Sequence, residues 1–373
     1  MRVKALPPAS LEVAPETAPD SYEYEPTSDP ADRETISVSN AACRGRDESM
    51  KAVVLAGGYA TRLWPITRHR PKMFLPLGET TVVERIYDEL EAVDRIEEVY
   101  VSTNERFAPD FEAQLADSGY EKPQLSIEET RAEAEKLGVV GALAQLVDRE
   151  GIDDDLLVIA GDNIFEFAIE DFLEHYDRRD APTIAAYDVA SPERASAYGV
   201  VDLEDDRVVD FEEKPDDPPG TRVSIGCYAF PAETLEQLST YLEEDTDPDE
   251  PGWFVQWLQS REPTYAYTFD GAWFDIGTRD SYLDAVAWTL DGDSHVAESA
   301  TLEDASIGPN VHVMANATLV DTDVERAVIF PDATLEATTA RRSIVDEGAA
   351  LEGLDLHDAM IGAYTQIPDR SRE

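Results

Sequence analysis

Lysine is scarce in this chain. It occurs six times, at positions 4, 51, 72, 122, 136 and 214, so arginine supplies the other 24 of the 30 basic residues, against 80 Asp plus Glu. The formal net charge is −50 and the pI about 4.2. A polyanion is held by neutralising its phosphates with Lys and Arg, so this balance argues against sequence-independent nucleic-acid binding. Docking on an anionic membrane surface is disfavoured for the same reason. Cysteine is nearly missing too. Cys43 and Cys227 make neither a disulfide framework nor a metal-ligand spacing, and Cys227, inside an apolar run, is expected as a small core residue. No run of about 18 uncharged apolar residues occurs, so no transmembrane helix is predicted. The N-terminus has no apolar signal core and no Arg-Arg export pair, and a cytoplasmic protein is expected.

What is present begins with 373 residues, 42% of them hydrophobic, enough for a buried core and for two or three domains. The acids are spread along the whole chain rather than gathered in a tail, the bias of halophilic proteins whose carboxylates stay solvated in concentrated salt. Residues 1–49 carry six Pro, ten acids and five bases without helical or strand periodicity, and read as a disordered extension or as sequence preceding a start at Met50. From 50 to 292, apolar runs at 51–56, 97–102, 155–160 and 182–188 alternate with amphipathic stretches near 80–93, 139–149 and 168–178. Such alternation predicts βαβ units, a mostly parallel sheet and ligands at the carboxyl ends of its strands. A hairpin, Tyr198–Leu203 with Val208–Phe211 around Asp205-Asp206, is expected as an antiparallel addition.

After Asp293 the texture changes. Aliphatic residues recur six apart at Ile307, Val313 and Leu319, and again at Ile361 and Ile367, among Ala, Ser, Thr, Asn and Gly. That period predicts a parallel β-helix of hexapeptide repeats over 293–368, about four triangular coils of roughly 18 residues, with a short tail at 369–373. The register slips between 321 and 350.

Residues 49–78 contain no acid and five bases. With a fifth of the chain acidic, any given window of that length has a chance of about one in a thousand of being acid-free, so an anion-accepting surface is expected here. The strand running into Gly57-Gly58 offers backbone N–H groups that no side chain shields from phosphate. Neither a Walker loop (Gly-x4-Gly-Lys-Ser/Thr) nor a dinucleotide loop (Gly-x-Gly-x-x-Gly) is present. Instead the chain reads Gly57-Gly58-x-x-Thr61-Arg62-Leu63-x-Pro65 and then Pro71-Lys72-x-x-Leu75-Pro76.

This composite resembles the signature of the sugar nucleotidyltransferases, which make nucleoside-diphosphate sugars from a nucleoside triphosphate and a sugar 1-phosphate. Other segments resemble the family in the same order. Leu156-Leu-Val-Ile-Ala-Gly161-Asp162 and Trp273-Phe274-Asp275 each place an Asp after a strand where the family keeps a metal-binding carboxylate. Tyr198-Gly199-Val200-Val201 resembles its sugar-contacting strand, Glu212-Glu213-Lys214-Pro215 its Glu-Lys-Pro motif, and Leu137-Gly138-Val139-Val140-Gly141 its base-binding loop, although Val139-Val140 replace the usual Thr-Ala pair.

The resemblance implies an α/β fold, a Rossmann-like nucleotidyltransferase domain followed by a left-handed parallel β-helix. It implies a reaction in which a sugar 1-phosphate oxygen displaces pyrophosphate from the α-phosphorus. Arg62 and Lys72 would face the reacting phosphates, with Leu55, Gly57, Gly58, Thr61 and Gly138 at the nucleotide. Tyr198, Gly199, Glu213 and Lys214 would meet the sugar phosphate, and Asp162 and Asp275 would hold Mg2+, which takes few protein oxygens. Lys72 and Lys214 being two of only six lysines supports a compact ammonium at both places. Glu128, Glu129 and Glu133 compete for the base contact that precedes Gly138. Glucose 1-phosphate with dTTP or UTP is the leading pair, with N-acetylglucosamine 1-phosphate, and mannose 1-phosphate with GTP, as further choices. Two other readings are a non-catalytic regulatory relative and a bifunctional enzyme that also transfers an acyl group, for which His295, His312 or His357 would supply the base. A homo-oligomer formed through the β-helix is expected.

Overall fold

The computed structural model describes residues 49–128, 137–244 and 246–368. The expectations for residues 1–48 with Cys43, for Glu129 and Glu133, and for the tail 369–373 lie outside the described residues.

Apolar runs bounded by turn residues become the strands of a nine-stranded sheet. In chain order these are β1 (Met50–Leu55), β2 (Ile96–Asn104), β3 (Pro123–Glu128), β4 (Leu156–Ala160), β5 (Thr183–Asp188), β6 (Gly199–Glu204), β7 (Arg207–Glu213), β8 (Arg222–Phe230) and β9 (Tyr265–Thr268). Across the sheet the order is β3-β2-β1-β4-β8-β5-β9-β7-β6. β1 shows why the central runs are continuously apolar. Ala52 and Val54 enter the core on one face and Val53 the core on the other, so the strand is buried on both sides. Its pairings with β2 and β4 are parallel, as is that of β2 with β3. This parallel quartet is the Rossmann-like half of the α/β fold, and the strand ends that carry the signature motifs gather at its carboxyl edge.

Antiparallel pairing extends beyond the expected hairpin. The β6–β7 hairpin is present, with Asp205 in the left-handed region at its turn (φ 57°). In addition, β8 runs antiparallel between β4 and β5 in the middle of the sheet. Its apolar run reads the same in either chain direction, so periodicity alone gave no orientation. Cys227 of β8 is fully buried in the core, as expected. The three anticipated helices form at Val82–Ala92, Val139–Glu150 and Ile169–Arg179. The first starts at a capping box in which Thr81 and Glu84 satisfy each other's backbone N–H groups.

Beyond the helix Arg279–Leu290, short parallel strands stack into three sheets of five, five and four strands, a parallel β-helix consistent with the left-handed form expected. The coil length differs from the expected 18. The first step from coil to coil is 17 residues (Val296 to Val313, Leu302 to Leu319), and later steps are 16 (Val313 to Ile329, Leu319 to Leu335, Val324 to Ala340). Inward positions therefore advance by six, five and five residues, as at Val313, Leu319, Val324 and Ile329, all fully buried. That accounts for the slip in the sixfold register after 321. Corners recur with the same spacing and sit in the left-handed region, among them Asn316, Asp321, Arg326, Asp332, Ala337 and Arg342.

One outer face of the β-helix is covered by the chain's own α/β domain. Val328, Phe330 and Ile344 share an apolar core with Leu63, Ile66, Leu75, Leu77, Tyr282 and Val286.

Candidate active site

β1 ends at Leu55, and the chain leaves the sheet through Ala56-Gly57-Gly58. The loop is pinned from β2: the Asn104 side-chain amide donates to the Gly57 carbonyl (2.8 Å), and the Ala56 N–H donates to the Ser102 carbonyl (2.7 Å). A Cβ on Gly57 would lie 2.9 Å from Oε1 of Glu128, the last residue of β3, so a larger residue there would displace that carboxylate. At Gly58 an added Cβ would meet no protein atom within 4 Å, leaving its backbone open to a ligand. Thr61 and Arg62 follow, exposed on a single turn of 3-10 helix that is anchored by buried Leu63. Glu128 is buried beside this loop and accepts a hydrogen bond from Ser102 Oγ (3.1 Å), and burial raises its carboxyl above the ordinary range.

β4 leads into Asp162, the first of the two expected metal-binding residues. The Gly161 N–H donates to the Leu55 carbonyl (2.9 Å), which presses Asp162 against the end of β1. A two-stranded ribbon, Asn163–Phe165 with Trp273–Asp275, then sets Asn163 opposite Asp275, and the Ile276 N–H donates to the Asp162 carbonyl (2.9 Å). The Asn163 amide donates to Asp162 Oδ1 (3.0 Å) while its own carbonyl accepts from the Trp273 indole (2.6 Å). Burial pushes the Asp275 carboxyl up to about 6, and the negative charge of Asp162 adds to the rise against Lys72 and Arg62. Lys72 forms an ion pair with Asp162. Arg62 lies on the far side: a Cβ on Gly277 would be 3.1 Å from its Nη2 and 3.6 Å from Asp275 Oδ1. The Tyr198 hydroxyl donates to Asp275 Oδ2 (3.4 Å), and burial, followed by that carboxylate, raises it to about 12.

Among the described residues no cluster of three or more His, Cys, Asp or Glu could hold a metal. A cation here would rest on Asp162 and Asp275 alone, the small all-oxygen donor set that suits Mg2+ with water and phosphate completing the shell. Lys72 already places positive charge on Asp162, so this carboxylate is reachable by a cation.

Glu213 ends β7 in a slot made by two glycines. A Cβ on Gly199 would lie 2.6 Å from its Oε2, and one on Gly252 only 1.7 Å away. Gly252 is the second residue of the helix Pro251–Gln259, and Gln256 of that helix accepts the Glu213 N–H (2.9 Å). Burial pushes the Glu213 carboxyl up to about 7, a rise that Lys214 opposes and Glu250 reinforces. Lys214 takes a left-handed backbone (φ 48°) and forms an ion pair with Glu250, both side chains partly exposed. Gly138 (φ 76°) precedes the helix Val139–Glu150, where a Cβ would meet the Pro248 carbonyl oxygen at 2.4 Å. Its glycine therefore has a packing reason.

The sequence thus brings together Arg62, Lys72, Asp162, Asp275 and Tyr198 in one cluster, with Gly199 and Glu213 next to it and Leu55, Gly57, Gly58 and Thr61 at its β1 side. Gly252 and Asn104 were not foreseen. An Asn closing an apolar strand, and a Pro-Gly pair opening an apolar helix, were the available signals. The three tail histidines do not converge. The His312 and His295 rings meet edge to face at 5.2 Å, whereas His357 is on another sheet of the β-helix, 3.1 Å from Asp355.

Known proteins resemble the chain along its α/β domain. The chain is 28% identical over 295 residues to mannose-1-phosphate guanylyltransferase 1 of Arabidopsis thaliana, covering 71% of this chain and 76% of that one. It is 29% identical over 283 residues to the low-salt glycan biosynthesis nucleotidyltransferase of Haloferax volcanii, covering 72% and 74%. A third relative, the bifunctional protein GlmU of Methanocaldococcus jannaschii, is 26% identical over 243 residues, 65% of this chain, and the match spans about half (55%) of GlmU's length. Among solved structures, a protein from Bacillus anthracis described as a putative glucose-1-phosphate thymidylyltransferase, in complex with sucrose, superposes with TM-score 0.56 at 25% identity, covering 66% of this chain and 97% of that one. No helix among the described residues is long and apolar enough to cross a membrane. The nucleotidyl transferase family model matches residues 51–292, nearly all of the α/β domain, and the chain belongs to that family.

Proposed function

We propose that the protein joins a nucleoside triphosphate to a sugar 1-phosphate, releasing pyrophosphate. The observation that carries this reading is the grouping of Lys72, Asp162, Asp275 and Arg62 at the carboxyl edge of the parallel strands, beside an open Gly57-Gly58 loop. Both reactants are polyanions. The chain's task is to overcome their repulsion and hold the attacking oxygen in line with the α-phosphorus, with no nucleophile of its own. Arg62 presents a planar fork to the triphosphate and to the charge that grows on the leaving pyrophosphate. Lys72 exchanges its pairing with Asp162 for the reacting phosphate, freeing that carboxylate. Asp162 and Asp275 would hold Mg2+, which when bound neutralises charge between the α-phosphate and the leaving group. Glu213 accepts hydrogen bonds from sugar hydroxyls, and Lys214, released from Glu250, meets the phosphate of the incoming sugar.

Glucose 1-phosphate with dTTP or UTP is the favoured substrate pair, supported by the likeness to the Bacillus anthracis protein of that description. Mannose 1-phosphate with GTP is the second reading. It is favoured by the Arabidopsis relative and by Glu128, because an ionised carboxylate next to the loop would match the two N–H donors of a guanine edge. Purified protein in molar KCl with Mg2+, given a matrix of sugar 1-phosphates and nucleoside triphosphates, should release pyrophosphate with at least one pair. Silence across the matrix would overturn the proposal, and a preference for GTP would select the second reading.

A further inference from the structure

Arg62 and Lys72 stand at the two ends of a segment that belongs to no strand of the sheet. Between the short 3-10 turns Thr61–Leu63 and Lys72–Phe74 the backbone is irregular. Irregular backbone keeps one geometry only where its surroundings impose it. Here the β-helix supplies part of those surroundings, together with Tyr282 and Val286 of the α/β domain. Leu63, Ile66 and Leu75 are buried in the core shared with Val328, Phe330 and Ile344. Pro65 lies so close to the last coil that a Cβ on Gly362 would come within 2.9 Å of it.

The polar contact is more specific than this packing. Arg70 lies two residues before Lys72, and its guanidinium lies over the Phe330 ring, 4.6 Å from the centroid. It bonds to Asp346 Oδ1 at 2.8 Å and approaches Glu347 Oε2 at 3.4 Å. The Asp346 side chain is wholly buried, and its Oδ1 also accepts the Glu347 N–H (2.8 Å). His69 Nε2 stands 3.7 Å from Asp346 Oδ2. A buried ion pair contributes little net stability against an apolar pair of similar volume, so its presence is better explained by the geometry it fixes. The fork of an arginine, stacked on a ring and bonded to a fixed carboxylate, leaves little freedom to the chain on either side.

We propose that Arg70 and Asp346 are positioning residues: through this pair the β-helix holds the Arg62–Lys72 segment so that Lys72 meets the reacting phosphates. The β-helix is then a working part of the active site through this pair. This inference rests on the nucleotidyl-transfer reading of the site.

Its test compares Arg70→Gln and Asp346→Asn with the wild-type chain on whichever substrate pair the wild type turns over, together with hydrogen exchange of the 61–75 amides. Misplacing a reacting group by about 1 Å costs about 10²-fold in rate, so kcat of Arg70→Gln should fall by about that factor while KM for the sugar 1-phosphate stays within about twofold. Exchange across 61–75 should quicken in both variants, with β1 and β4 unchanged. Asp346→Asn preserves volume and leaves Arg70 its contact with Glu347, so it carries both measurements if Arg70→Gln does not fold. Folded variants with wild-type kcat and wild-type exchange would overturn the proposal, as would a loss of kcat that only follows a loss of folded protein. Exchange needs no turnover: with an inactive wild type, quickened exchange across 61–75 would still support the clamp and unchanged exchange would overturn it, while the inactivity itself would count against the nucleotidyl-transfer reading.

Discussion

Acid should loosen the β-helix from the α/β domain at one residue. His312 lies in the strand Val311–Val313, in a row with His295, Val328, Ile344 and Met360 on successive coils. Val328 and Ile344 of this row belong to the core shared with the domain. The imidazole is 2% exposed, and its Nδ1 is buried without a hydrogen-bond partner among the described residues. Burial, with a smaller contribution from His295, pulls it from 6.5 down to about 4. The folded state therefore favours the neutral ring, and the unfolded chain binds the proton first. Stability is complete above the unfolded value near 6.5 and is lost as pH falls towards 4. At about 1.4 kcal/mol per unit, a displacement of roughly 2.5 units is worth about 3 kcal/mol. His312→Val, which continues the row of Val328, should abolish that component. Urea midpoints of both proteins at pH 7 and pH 4.5, at fixed salt, isolate it from the carboxylates that titrate in the same range. The variant should lose about 2 to 3 kcal/mol less than the wild type between these two conditions. Equal losses in the two proteins would refute the assignment of the acid sensitivity to His312.

The other expectations concern the site and the coil corners. Asp162→Asn and Lys72→Ala should each lower the rate of pyrophosphate release by about 10² to 10³ at an unchanged melting temperature, and near-wild-type turnover would remove that residue from the mechanism. Gly252→Ala places a methyl group 1.7 Å from where Glu213 Oε2 now sits, so KM for the sugar 1-phosphate should rise by an order of magnitude or more, with KM for the nucleotide unchanged. Because the overlap can also destabilise the fold, KM is compared at a temperature where the variant's thermal melt shows it folded. Ala337 holds a left-handed corner (φ 47°), and Ala337→Gly should raise stability by about 0.5 to 1 kcal/mol in urea denaturation; a lower midpoint would show that the corner carries no backbone strain.

How far the sequence could be read depended on whether a residue's role is local. β1, β2, β4 and β5 were legible because a strand buried on both faces must be apolar throughout. Arg62 and Lys72 were legible because they interrupt a pattern: thirty residues without an acid stand out in a chain with 80 of them. The coil step of 16 was hidden by its own arithmetic, since inward positions at six, five and five residues match a sixfold period only over short stretches. The direction of β8 was hidden because burial does not distinguish parallel from antiparallel neighbours. Gly252 belongs to the site only because Glu213, far away in the chain, reaches its backbone, and no spacing expresses that. Asp346 is the sharpest case. Its carboxylate is fully buried on Arg70, yet in the sequence it is one acid among 80 and carries no mark. An acidic composition exposes the cations that a polyanion site requires. It conceals the few carboxylates that hold those cations in place, and these emerge only when burial separates them from the solvated majority.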